Sequence, residues 1–222
     1  KQFVKSVYQS NLFYVFYIFF LFITISNGSA NAKSIVHKSL GLSNHFAISP
    51  FNPNRLYIQS CISLESITDT NYNQIYPDIS FGYKVSKNLA IVGSVFSYNS
   101  SNLPNQTIGA GFQYFFGSTD TLSWVTSLKR VNSKSIKKYN INNLVFDISK
   151  WIQYKSMLFR FGSGASFYRS VNFSSQTSKQ KGQVNFIFIS SVLPLKIFRF
   201  GMEARINPNK FLYSLFIQKD FL

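Results

Sequence analysis

Residues 197–206 read Ile197-Phe198-Arg199-Phe200-Gly201-Met202-Glu203-Ala204-Arg205-Ile206. Successive side chains of an extended strand point to opposite sides. Phe198, Phe200, Met202, Ala204 and Ile206 therefore share one face, and Arg199, Gly201, Glu203 and Arg205 share the other. One face is wholly apolar and the other is charged, so the strand separates two solvents. Hydrocarbon outside and a polar interior inside satisfy that pattern, which is the pattern of a strand in a transmembrane β-barrel.

The same split recurs on both sides of this stretch. In 56–65, Leu56, Ile58, Ile62 and Leu64 oppose Tyr57, Gln59, Ser63 and Glu65. In 75–85, Ile75, Ile79, Phe81, Tyr83 and Val85 oppose Tyr76, Asp78, Ser80, Gly82 and Lys84. Segments 107–116, 122–130, 143–152, 157–168 and 211–222 behave alike, with Gln113, Lys129, Asp147 and Arg160 on their polar faces. Segments 89–98 and 184–193 are strands by β-branched and aromatic content, with less clean faces. The pattern predicts an all-β, antiparallel, ten-stranded barrel over residues 55–222, or an eight-stranded one if two weaker segments are not inserted. A secreted β-sandwich would also alternate, but it needs a polar outer face, and here the non-apolar face carries glycine and charges of both signs.

Connection lengths point the same way. Short links at 86–88, 117–121, 153–155 and 194–196 alternate with longer ones at 66–74, 99–106, 131–140 and 171–183. Short periplasmic turns and longer external loops are the rule for bacterial barrels. Strands at membrane depth must also close on themselves, because no water is there to satisfy a free edge.

Export is the second reading. Lys1 and Lys5 precede an unbroken apolar run, Leu12–Ile25, followed by Ser26–Ala32 with small residues at Ala30 and Ala32. That order is a secretory signal peptide over residues 1–32, with cleavage expected after Ala32. Residues 33–54 carry both histidines, Gly41, Pro50 and Pro53, and are expected to be a periplasmic lead-in, a plug or an unrecognised strand. The net charge of +16 would suit nucleic acid or acidic lipid, and export removes nucleic acid. A single cysteine, Cys61, rules out an intramolecular disulfide framework.

Signal and strands together resemble the small outer-membrane β-barrel proteins of Gram-negative bacteria, as an architectural class rather than one family. The resemblance implies a monomer in the outer membrane, surrounded by its lipid and lipopolysaccharide and inserted by the barrel-assembly machinery. That machinery reads a terminal aromatic, and here Phe221 stands one place before the end.

The candidate site is the set of inward-facing charges: Glu65, Asp78, Lys84, Lys129, Asp147, Arg160, Arg199, Glu203 and Arg205. In a narrow barrel such charges must be paired, because a lone buried charge is very costly. Arg160, Arg199 and Arg205 are expected to pair with Asp78, Asp147 and Glu203 and to close the lumen, giving a structural or surface-interaction protein. A cation-lined pore for small anions is the alternative.

A lipid-modifying hydrolase using Asp147 and a strand serine is a further alternative, weakened because His37 and His45 both precede the strands. No cofactor motif or metal-ligand cluster is visible, so no cofactor or metal is expected. Lys134, Lys137 and Lys138 in one external link, and Lys179 and Lys181 in another, are candidates to dock phosphates of lipopolysaccharide. Tyr83, Tyr98, Trp124, Trp151, Tyr154, Tyr168 and Tyr213 are expected in interfacial girdles.

Overall fold

The computed structural model describes residues 47–51, 53–67, 72–100, 103–118, 121–135, 139–172, 179–207 and 210–221. Residues 1–32, expected from sequence to be a signal peptide, lie outside them. Ten strands follow in order: β1 (Leu56–Ile67), β2 (Tyr72–Lys84), β3 (Leu89–Ser100), β4 (Leu103–Ser118), β5 (Thr121–Ser135), β6 (Tyr139–Tyr154), β7 (Met157–Asn172), β8 (Lys179–Pro194), β9 (Phe198–Asn207) and β10 (Lys210–Phe221). Each pairs antiparallel with its chain neighbours, and β1 closes on β10. The architecture is the ten-stranded barrel, not the eight-stranded one.

Closure follows from the pleat. Ile58, Ile62, Ile79, Phe81, Ile108, Phe112, Phe146, Ile189, Met202, Leu215 and Ile217 project outward and are exposed, while the alternate positions are buried. A continuous apolar exterior with every strand edge paired is stable only against hydrocarbon. Of the girdle residues, Tyr83, Tyr154 and Tyr213 are exposed and Trp124 sits in an outward stack with Phe116. Trp151 is a correction. It shares the inward parity of Asp147 and Ser149 and is buried inside. Tyr168 also turns inward, against Tyr139 and Ile141.

The links called long by sequence are mostly strand. β5 and β6 run to Ser135 and from Tyr139, and β7 and β8 run to Asn172 and from Lys179. Polar side chains hold the ladder there: Thr107 Oγ1 donates to Ser133 Oγ at 2.9 Å, and Asn132 Nδ2 to Asn142 Oδ1 at 2.8 Å. Crossing a bilayer takes only about 9–11 tilted residues. The 16-residue β6, β7 and β8 therefore continue past the apolar belt as a polar wall.

The opposite end, where the short links lie, is filled. Ile48 is fully buried among Tyr57, Cys61, Phe115, Trp151, Leu158 and Phe216. Its N–H donates to Gln113 Oε1 at 2.9 Å, and Lys84 Nζ donates to Pro50 O at 3.3 Å. Residues 47–50 thus sit inside the barrel mouth as a short apolar stopper.

The seam between first and last strands is directly testable. Ser63 and Ser214 are register partners with hydroxyls 2.9 Å apart. In a Cys61→Ser background, Ser63→Cys with Ser214→Cys should oxidise to a crosslink seen on a non-reducing gel. Two persistently free thiols would mean the barrel is open there.

Candidate functional site

β5, β6, β7 and β9 carry the linked interior charges, and strand register decides which ones meet. Arg160 on β7 is opposite Trp151 on β6 and Ser190 on β8, and Ser190 is opposite Glu203 on β9. Serine is small, so the guanidinium reaches past it. Arg160 Nη1 lies 3.6 Å from Glu203 Oε2, and Nη2 lies 3.5 Å from Asp147 Oδ1, with Arg160 only 1% exposed. Arg205 Nη2 bonds Glu203 Oε1 at 2.8 Å, and Lys129 Nζ lies 3.6 Å from Asp147 Oδ2. The result is one chain of charges: Lys129, Asp147, Arg160, Glu203, Arg205.

Hydroxyls and rings complete it. Arg160 Nε donates to Ser149 Oγ at 3.2 Å, and Ser127 Oγ donates to Asp147 Oδ2. The Arg160 guanidinium lies 4.3 Å from the Phe188 ring centroid and 5.9 Å from that of Trp151. Arg205 stands over Phe186 and Phe188 at 4.8 and 5.4 Å. In a desolvated interior each such contact adds roughly 2 kcal/mol of attraction.

Glycine makes the space. Gly162 and Gly164 are the register partners of Phe188 and Phe186. A Cβ on Gly162 would stand 2.3 Å from Ile148 O and 2.7 Å from Phe188 Cζ, and one on Gly164 would stand 2.6 Å from Phe186 Cζ. The rings lie across bare backbone, which sets them beside the guanidinium groups.

The other expected site residues fall elsewhere. Arg199 Nε bonds Asp220 Oδ2 at 2.7 Å near the short-link end, instead of an acid of the central chain. Asp78 is buried on β2 and accepts from Ser80 Oγ at 3.3 Å. With Asp78, the interior of the described barrel holds three buried cations and three buried anions, a formal balance of zero. Lys84 belongs to the stopper, and Glu65 stands on β1 with its side chain outside the described residues. Lys134, Lys179 and Lys181 are exposed on strands β5 and β8 rather than in loops, and Lys137 and Lys138 lie outside the described residues. Among the described residues no three His, Cys, Asp or Glu side chains converge as metal ligands.

Sequence reading missed Phe186, Phe188, Trp151 and Asp220. All four have inward parity, but the 184–193 alternation shows no clean face and the ring of Trp151 points to an interfacial girdle.

A closed antiparallel barrel with an apolar exterior and a charged interior belongs to the outer-membrane β-barrel class. No particular family is identified: no family model and no curated protein matches the sequence. Among solved structures the fold is similar to a KdgM porin in complex with disordered oligogalacturonate (8% identity, TM-score 0.42, 75% of this chain and 99% of that one). It is also similar to Neisserial surface protein A (11%, 0.36, 75% and 97%) and to the translocator domain of autotransporter NalP from Neisseria meningitidis (9%, 0.42, 84% and 92%).

Two substitutions probe the site. Asp147→Asn leaves Lys129 without its counter-charge and Arg160 with one of its two, and should cost about 3–5 kcal/mol in reversible unfolding from lipid. Gly162→Ala should cost about 1–3 kcal/mol by displacing Phe188, with the strand content by circular dichroism unchanged.

Proposed function

We propose that this protein is a non-catalytic outer-membrane barrel with a closed lumen, serving a structural or surface-interaction role. The observation that carries the reading is the Arg160 centre: a guanidinium shared by two carboxylates and packed on two rings, in mid-barrel. Breaking such a buried pair is strongly unfavourable, so the plug stays shut at equilibrium. The apolar stopper at Ile48 supports it from the periplasmic side. Asp147 fits a structural carboxylate, since it is fully buried between Lys129 and Arg160. Interaction then falls to the outer surface, the general expectation for groups carried on a rigid scaffold.

Planar-bilayer recording decides between this and the pore. The reconstituted protein should give no steady conductance above the lipid baseline. Regular, anion-selective steps from the wild-type protein would establish the pore instead. If Arg160→Ala alone conducts, the plug is the barrier.

A further inference from the structure

The outer wall of β5 to β8, above the apolar belt, is basic. Across the sheet, Asn132, Asn142, Arg169 and Lys181 are successive register partners and form one outward row. Lys134 and Lys179 belong to the next row towards the long-link end, and Arg130 to the row below. Arg130, Lys134, Arg169, Lys179 and Lys181 are all exposed. Leu144 and Phe167 stand in Arg130's own row, and Leu128, Phe146 and Ile187 lie in the rows beneath it, the upper edge of the belt.

Two features distinguish this patch from an ordinary solvated face. Arg169 and Lys181 are directly opposed across β7 and β8, and like charges in that position destabilise a sheet. Among the described residues none of the five cations has an acidic or aromatic partner, and Asp78, Asp147, Glu203 and Asp220 all belong to interior positions. At the other end of the barrel, outward lysines do have partners: Lys150 sits over Trp124 at 5.4 Å and Lys219 over Phe221 at 5.1 Å. Between the two basic clusters, Asn132 Nδ2 donates to Oδ1 of both Asn140 and Asn142. That uses their carbonyl oxygens and leaves their amide Nδ2 groups as donors.

We infer that this wall binds the headgroup of an acylated lipid carrying two phosphates, with its acyl chains against the belt below. The site rests on the outer-membrane reading, which puts the long-link end at the cell surface. One phosphate lies with Arg169, Lys179 and Lys181, and the second with Arg130 and Lys134. The clusters are two to three strands apart, about 10–14 Å at the usual strand spacing. An anion between Arg169 and Lys181 converts their repulsion into a shared attraction.

The full chain, refolded into phosphatidylcholine nanodiscs, is titrated with bisphosphoryl and with monophosphoryl lipid A. Bisphosphoryl lipid A should bind tighter, in a salt-sensitive way. Arg169→Gln with Lys181→Gln should weaken it about thirtyfold, the effect of two surface cations. Arg169→Lys with Lys181→Arg should restore binding, and Lys150→Gln should leave it unchanged. In uncharged detergent without the lipid, the Gln pair should raise the unfolding midpoint, because the like-charge contact is gone.

Equal binding by the Gln pair, or equal binding of a phosphate-free acyl lipid, would overturn the site. So would heparin competing as strongly as the lipid, which would make the wall a general polyanion surface. A chain that fails to partition into membranes and shows no heat-modifiable gel shift would overturn the membrane reading, and this site with it.

Discussion

Burying a guanidinium in the middle of a barrel is the constraint on which the rest of the interior depends. Arg160 loses its hydration, and only two carboxylates, a serine hydroxyl and two ring faces replace it. Each partner comes from a different strand position, and each brings a requirement of its own. Glu203 can be reached only past a small residue, Ser190; Phe188 can lie flat only across Gly162; Asp147 carries a second cation, Lys129. A one-residue slip in β7 would turn Arg160 into hydrocarbon, so the network fixes register as well as filling space. A buried ion pair is poor evidence for added stability against an apolar core of the same shape. Its contribution here is to specify one pairing of β6, β7, β8 and β9 and to occupy the lumen.

Below that layer the interior is built like a soluble protein. Tyr57, Cys61, Val92, Phe115, Val125 and Leu158 pack around Ile48, and the chain entering β1 supplies the last piece of the core. Above it, serines, threonines and asparagines extend the ladder beyond the depth of the hydrocarbon. The barrel is thus graded along its axis, from apolar stopper to ion-pair layer to polar wall. Its exterior is graded to match, with the basic rows of β5 to β8 standing where the belt ends.

The fold was legible because lipid imposes a strict rule on alternate residues. Ile197–Ile206 shows it completely, and the same parity placed Asp147, Arg160, Glu203 and Arg205 inside. What failed was inference from side-chain type. Trp151 reads as a girdle residue and the faces of 184–193 do not separate, yet strand parity puts Trp151, Phe186 and Phe188 inside, where they serve the cations. Which acid meets which base was not legible at all. It depends on cross-strand register, and Arg199 finds Asp220 only because β9 pairs with β10 at that offset. Strand ends extend further than the pattern shows for a related reason: polar residues such as Asn132 and Ser133 read as loop, while cross-strand hydrogen bonds make them wall.

Coupling between Arg160 and Glu203 tests the central claim most directly. Arg160→Met, Glu203→Gln and the double variant are unfolded reversibly in urea from the same lipid, and the free energies are compared as a cycle. A closed ion-pair layer predicts that the double variant departs from the sum of the singles by about 1–3 kcal/mol. Additivity within about 0.5 kcal/mol would show that the two groups do not meet, and would contradict the account of a lumen closed by its own charges.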